Sequence, residues 1–363
     1  MDEEIINNKK WRAFEAQDPF NPGNIVTGYI HMTGHLSYGM LYITHVNGEE
    51  CEQKIWATPK LSYPFGYSED GEREYKWPDF TKILSTTKLD GTNVCAFKYS
   101  DAKGKKYVSY KTRRTPFMGD DFIDLWNECL GMWNIVVPDG MNLSFEMWGY
   151  KNPHLIKYDT PLEATLLFGI KPMGLIVPAD MIDVDCPKVG GELTEGDDLN
   201  ELYESDEEEM EEDLEVTDEY IIGDEGHVWY LLDDDGHAVM MKVKPKSVRD
   251  VHWNPLRNSG IPNHCIASTV INSFEETDVP DADLICELLA EEFEEWMIEK
   301  SRHRIEKVLA GILVKRKFKK QIIEEYREHG FDIYKDKRTC MRWFGQKYGG
   351  KAGADIYNIL VSL

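Results

Sequence analysis

No stretch of this sequence approaches the roughly 18 consecutive apolar residues that a membrane span needs. It opens Met1-Asp2-Glu3-Glu4, which is neither a secretory signal nor a transit peptide. Cysteine is sparse: Cys51, Cys95, Cys129, Cys186, Cys265, Cys286 and Cys340 are scattered, odd in number and never spaced CxxC. That excludes a zinc ribbon and a disulfide framework, and it places the chain in a reduced, cytoplasmic compartment. Internal repeats are absent. Positive charge is short: 41 Lys+Arg face 66 Asp+Glu over 363 residues, a formal charge of −25.

The shortage is local. Residues 192–219 hold 16 acidic residues and no Lys or Arg, leaving 50 acids against 41 bases elsewhere. From Glu299 to the end, 16 bases face 8 acids. A basic end can meet phosphates while the rest repels them, so the overall charge does not exclude a polyanionic partner. The acidic tract reads as a low-complexity, solvated loop or insertion. Nucleic-acid mimicry or gating of a groove is the rarer alternative. Hydrophobic residues make up 42%, enough for a real core, and the length suits two domains of about 150 residues each.

The apolar pattern changes along the chain. Residues 1 to 80 give short β segments between Gly, Pro and Asn. Asn93–Tyr99 and Lys106–Tyr110 read as a hairpin across Ser100–Gly104. Phe122, Leu125, Trp126, Cys129 and Leu130 have helical spacing. Strands follow at Leu143–Trp148, Ala164–Ile170, His227–Leu232 and His237–Val243. Beyond residue 255 the period becomes helical. One helix is expected from Asp281 through Trp296, others around Ile305–Leu313, Ile322–Tyr326, Arg338–Tyr348 and Ala354–Leu363. The expectation is an α+β chain: a β-rich domain over 1–255 and a helical domain over 256–363.

The chemistry concentrates at Lys88-Leu89-Asp90-Gly91-Thr92-Asn93. A strand delivers a lysine, a carboxylate and a glycine that lets a ligand approach the backbone. Lysine at its free pKa of about 10.4 must lose a proton to attack. Three fixed letters of KxDG occur by chance in roughly one chain of this length in twenty, so context decides. Glu146 sits mid-strand among aromatics, where a carboxylate needs a partner or a ligand. Glu225-Gly226 opens another strand, and Lys242 and Lys244 share one face of a third. Three carboxylates and three lysines in β-rich surroundings suit a metal-bound polyphosphate. The plain alternatives are surface lysines and structural ion pairs.

This ordered set resembles the covalent nucleotidyltransferases, the ATP-dependent polynucleotide ligases and mRNA capping enzymes. Lys88–Gly91, Glu146, Glu225-Gly226 and Lys242–Lys244 look like their motifs I, III, IV and V. Asn93 stands where DNA ligases and capping enzymes usually carry Arg and RNA ligases carry Asn or Ser. The segment Ala57–Phe65, Asn152 and Tyr158 after Glu146, and the ending Gly349–Leu360 are similar to the phage-type RNA ligase 1 family. An Arg typical of that family near Tyr38-Gly39 is missing.

The resemblance implies an N-terminal, ATP-grasp-like nucleotidyltransferase domain and an all-helical C-terminal domain. It implies ATP-dependent RNA ligation with ATP and Mg²⁺, or Mn²⁺ in its place. Lys88 would take AMP covalently, and Lys242, Lys244 and Lys60 would hold phosphates. Asp90, Glu146 and Glu225 would serve the metal, directly or through waters. Asn93 with Arg113 or Arg114 would grip the RNA 5′-phosphate, and Phe168 would stack on adenine. Lys315–Lys320 would meet RNA phosphates, against a solvated helix face as the plain reading. The partner is RNA, with tRNA repair a weaker extension, and the protein is expected to be a monomer in the cytoplasm, the host's if viral. Rivals are a DNA ligase or guanylyltransferase, and an inactive RNA-binding adaptor. His31 and His35 are not read as a metal pair, since no third ligand accompanies them and Gly34 disfavours a helix.

Overall fold

The computed structural model describes residues 10–248, except 35, 69–71, 155, 195–197, 217–220 and 246, and residues 261–361, except 262, 275–276, 291–292, 294 and 350–351. The chain divides into two compact units: Met1–Asn258 with Ile271–Pro280, and Ser259–Val270 with Asp281–Leu363. The expected boundary at 255/256 lies outside the described residues. Residues 271–280, expected in the second domain, cluster with the first.

In the first unit, β1 (Trp11–Gln17), β2 (Ile25–His31), β3 (Leu41–Val46) and β4 (Glu49–Ile55) form an antiparallel four-stranded sheet. β5 (Phe65–Tyr67) and β6 (Arg73–Tyr75) form a short hairpin. The main sheet takes β7 (Lys82–Thr87), β8 (Thr92–Ser100), β9 (Lys106–Lys111), β10 (Asn142–Trp148), β11 (Glu163–Ile170), β12 (Ile176–Pro178), β13 (Gly191–Thr194), β16 (His227–Leu232) and β17 (Ala238–Val243). Between β13 and β16 lies the small pair β14 (Glu215–Val216) and β15 (Ile221–Ile222). The nine-stranded order is β13-β7-β16-β17-β12-β11-β10-β8-β9. The hairpins and strands read from the sequence fall within a residue of these.

Period-2 alternation gives the sheet two distinct faces. On the front, Leu84, Cys95, Phe168, Ile170, Val228, Tyr230 and Met240 form one cluster. Farther along β8 the same face, through Phe97 and Tyr99, packs against Ile30, Leu41 and Ile43 of the four-stranded sheet. The back is covered by two helices. On α1 (Asp120–Met132) Trp126 lies 5.6 Å from Phe145. On α2 (Leu199–Glu212) Tyr203 and Met210 join Ile83, Trp229, Leu231, Met241 and Val243.

Much of the acidic tract, expected as a solvated loop, is therefore α2. Its side chains share a helical stripe, with Tyr203, Glu207 and Met210 at i, i+4 and i+7 all buried. Asp198 caps its N-terminus, accepting from the Asn200 and Glu201 N–H groups. Net charge concealed that stripe.

The second unit is helical: α3 (Asn263–Ser273, which runs on into the first unit), α4 (Ala282–Leu289), α5 (Glu295–Glu328), α6 (Lys337–Tyr348) and α7 (Gly353–Val361). Ile322, Ile333, Cys340, Phe344, Ile356 and Leu360 form its core. The helix expected over Asp281–Trp296 is broken between Leu289 and Glu295, and the next two expected helices are one helix of 34 residues. Its only glycine, Gly311, lies amid strong helix formers and does not end it. No helix among the described residues is long and apolar enough to cross a membrane, and none of the seven cysteines is in a disulfide.

Candidate active site

The front face becomes polar where β7, β16 and β17 end together. Thr87 pairs with His227, and the Lys88 N–H extends that ladder by donating to the Gly226 carbonyl at 2.8 Å. His227 in turn pairs with Val243. Gly226 has φ +149°, and a Cβ there would run into the Val243 carbonyl, so the glycine is required for β16 to start this close to β17. The result lays Glu225 between Lys88 and Lys244. One carboxylate oxygen of Glu225 bonds the Lys88 ammonium, and the other meets the Lys244 ammonium at 2.7 Å. Glu225 and Lys244 are 8% and 7% exposed at the side chain. Burial alone would raise the Glu225 pKa, but Lys244 and Lys88 together hold it down at about 2.

Lys242 shares this face two residues before Lys244. Its N–H donates to the Ser62 carbonyl at 2.9 Å, and its ammonium sits 4.3 Å from the centre of the Tyr63 ring. The segment carrying Lys60 thus runs beside β17 through the Ser62–Met241 bridge. Lys60 itself is half-buried.

Glu146 approaches from the other half of the sheet, opposite Asn93. The Asn93 amide donates to Ser144 Oγ and the Phe145 carbonyl, both at 3.1 Å, and lies 3.5 Å from Glu146 Oε2. Ser144 Oγ is shared with Thr58 at 2.8 Å. The Asn93 Oδ1 is buried without a hydrogen-bond partner. Burial pushes the Glu146 pKa up to about 7. Lys88, Arg113 and Asn93 oppose that rise, and Glu225 adds to it.

Both Arg113 and Arg114 place their guanidinium carbon 5.9 Å from the Tyr38 ring. Arg113 brings its charge to bear on Glu146. Its turn is held from beneath by Lys111, which is fully buried and donates to the Thr112 and Arg113 carbonyls at 2.7 and 3.0 Å. Arg12 donates to the Arg114 carbonyl at 2.6 Å. Lys111 was not singled out in the sequence, because its role depends on a turn that only the fold reveals.

Asp90 follows Lys88 on the connection into β8. The Ile156 N–H donates to its carboxylate at 2.7 Å, and its own N–H donates to Tyr158 Oη at 2.9 Å. Desolvation first, and then the Glu225 charge, raise its pKa; His154, Lys88 and the Ile156 N–H act against them. A Cβ at Gly91 would strike the Met147 carbonyl, which seats this connection against β10. Asn152 donates to the Met147 carbonyl at 2.7 Å and to Thr92 at 3.1 Å, and His154 Nε2 lies 3.3 Å from Thr92 Oγ1. His154 is a further titratable group that sequence reading missed.

Lys88, Asp90, Glu146, Glu225 and Lys244 thus share one electrostatic neighbourhood. Phe168 lies farther along the same face, opposite Ser144, because a bulge at Leu167 reverses the strand's parity. It is 3% exposed and packs against Tyr230. In this structure the ring is core, with little surface left for stacking on adenine. His31 belongs to β2 and lies edge-on to Trp11; His35 is outside the described residues. On α5, Lys315, Lys317, Lys319 and Lys320 are exposed.

The carboxylates fit a hard cation. Asp90 and Glu146 are raised because nearby positive charge falls short of what their desolvation requires. Among the described residues, their oxygens do not gather with those of Glu225 within 4.8 Å; the one trio that does is exposed Asp233, Asp235 and His237 on the β16–β17 hairpin. One or two carboxylates completed by water and substrate oxygens is the way Mg²⁺ is commonly held.

No family model matches the chain, and no curated protein matches it. Two solved structures show a distant likeness, both described as archaeal ATP-dependent RNA ligase. Form 2 is 13% identical with a TM-score of 0.43, covering 82% of this chain and 76% of that chain. Form 1 is 13% identical with a TM-score of 0.38, covering 79% and 75%. At those values the likeness identifies no family, and any functional reading rests on the site's own residues.

Proposed function

We propose that this protein is an ATP-dependent RNA ligase that works through a covalent lysyl-AMP on Lys88. The observation that carries the reading is the clamp of Lys88 and Lys244 on Glu225, with Glu146, Asp90, Asn93 and Arg113 facing it. A lysine at a strand end, ringed by carboxylates and further lysines, suits attack on a phosphorus that carries negative charge.

Lys88 leaves Glu225 and releases its proton to solvent water before its nitrogen attacks the α-phosphorus of ATP. The bond to pyrophosphate breaks in line, and AMP remains on the lysine. Lys242 and Lys244 neutralise the α-phosphate, and Lys60 meets the departing pyrophosphate. AMP then passes to an RNA 5′-phosphate gripped by Arg113 and Asn93. A 3′-hydroxyl attacks that phosphate and expels AMP. Asp90, Glu146 and Glu225 are the residues that would hold Mg²⁺, which supplies charge neutralisation for the phosphates. The exposed basic run on α5 is a second surface for RNA phosphates, and the repair of broken tRNA is one use that fits.

The test is incubation with Mg²⁺ and ATP labelled at the α-phosphate, without nucleic acid. We expect acid-labile label on the protein, lost in Lys88→Ala. Label from GTP in place of ATP would make it a guanylyltransferase. Transfer to DNA 5′-phosphates alone would make it a DNA ligase. A folded protein that takes no label from either nucleotide would be a binding module.

A further inference from the structure

The front face carries an apolar rim that the proposed chemistry does not use. Between β11 and β12, Met173 has φ +68° and is 73% exposed, so a strained backbone presents an apolar side chain to water. Leu175 beside it is 40% exposed. A Cβ at Gly174 would come within 3.2 Å of the Trp56 ring and 4.0 Å of the Leu36 Cβ, so this turn passes close to both; Leu36 is 59% exposed. Leu36 belongs to the β2–β3 connection. Three residues later in that connection, Gly39 packs on the Arg113 carbonyl and near the Lys111 ammonium. Three residues span at most about 10 Å. The apolar rim and the cationic Arg113–Arg114 turn are therefore two ends of one short segment.

We infer that Leu36, Met173 and Leu175 form a subsite for the unpaired nucleobase next to the RNA 5′-phosphate that Arg113 receives. This rests on the ligase reading for the identity of the strand. The argument is charge complementarity joined to an apolar shelf. A single-stranded nucleic acid offers alternating anionic phosphate and apolar base face, and proteins that bind it pair a cationic track with such shelves. Here both features stand on the one β2–β3 connection, Leu36 at the rim and Gly39 against the Arg113 carbonyl. Contact with base faces rather than base edges makes the subsite tolerant of sequence but dependent on a base being there.

The test measures binding of fluorescent, 5′-phosphorylated RNA whose first nucleotide is either normal or an abasic ribose. Wild type should prefer the normal RNA by about tenfold, the value of burying one apolar side chain's worth of surface. Leu36→Ser and Met173→Gly should each shrink that preference several-fold. Met173→Gly suits the positive φ, so its effect does not come from misfolding. Equal affinity of wild type for the two RNAs would overturn the subsite. So would variants that keep the full preference, as an adventitious patch or a protein-docking surface would. A variant whose only defect is a raised KM for ATP in self-adenylylation would assign the rim to adenine and also overturn it. The same preparations are labelled with ATP. Preference without label would keep the subsite and remove the ligase reading; label without preference would do the reverse.

Discussion

The two faces of the nine-stranded sheet handle buried charge in opposite ways. On the back, buried Glu207 and half-buried Asp206 and Glu211 of α2 have their partners. Asp206 accepts from His227 Nδ1 and Trp229 Nε1, both at 2.7 Å. Glu207 pairs with Arg73 at 2.7 Å. Glu211 takes the Ser247 N–H at 2.6 Å and its hydroxyl. On the front, Glu225 is compensated by two ammonium groups, while Asp90 and Glu146, with the Ile156 N–H and the Asn93 amide as partners, keep raised pKa values. A satisfied set of buried charges holds a fold; an unsatisfied set is where a cation or a substrate supplies what is missing.

The sharpest way to break the contrast is on the front. Lys244→Ala removes one arm of the Glu225 clamp and one proposed phosphate ligand. Adenylylation should fall about 10²-fold or more, the usual cost of losing one charge-stabilising group. The rate of label incorporation from α-labelled ATP reads it directly. An unchanged rate would make the Lys244–Glu225 pair purely structural, like those on the back.

Next come the two front carboxylates, which should respond to pH with opposite sign in metal-free buffer. Glu225 is held at about 2 against 4.5 unperturbed. Its stabilisation is full above 4.5 and is lost as pH falls through about 2. Glu146 is raised to about 7. Its folded form retains a proton that the unfolded chain releases, so its contribution is full below 4.5 and is lost as pH rises through about 7. Urea midpoints across pH should show Glu225→Gln flattening the acid limb and Glu146→Gln flattening the neutral one. If neither limb moves, the front charges are not set as described.

The back should answer in stability alone. Asp206→Ala leaves the Trp229 N–H in the interior without its acceptor and should cost about 1–3 kcal/mol by urea unfolding. Smallest is Tyr203→Phe. It keeps the ring and deletes one hydrogen bond, from Tyr203 Oη to the Lys242 carbonyl at 2.9 Å, for about 0.5–1.5 kcal/mol. If this variant slows adenylylation more than it destabilises, the back helix also positions the Lys242 strand for catalysis.

Sequence reading went furthest where the signal was periodic and short-ranged. The β8–β9 hairpin, α1, β10, β11, β16 and β17 were all legible from alternation or helical spacing. The candidate site residues were named as types in order along the chain: a lysine before Asp-Gly, a mid-strand Glu, a Glu-Gly, a pair of lysines. That listing needed no fold, because a charged residue in or at the end of an apolar strand stands out against its neighbours. α2 was misread because composition averages over faces, and one buried stripe of Tyr203, Glu207 and Met210 vanishes among exposed carboxylates.

What the amino-acid order determined by itself was which segments are strands or helices and which residues bear charge. The tertiary structure alone decided who compensates whom. Glu225 meets Lys88, 137 residues away, only because Gly226 lets three strand ends converge. Arg113 bears on Glu146 from a turn whose carbonyls Lys111 holds. Phe168 turns to the front because of one bulge. The reason is physical. Periodicity is written in neighbouring residues, whereas the cost of a buried charge depends on groups brought near it by the whole fold, and no local pattern encodes that distance.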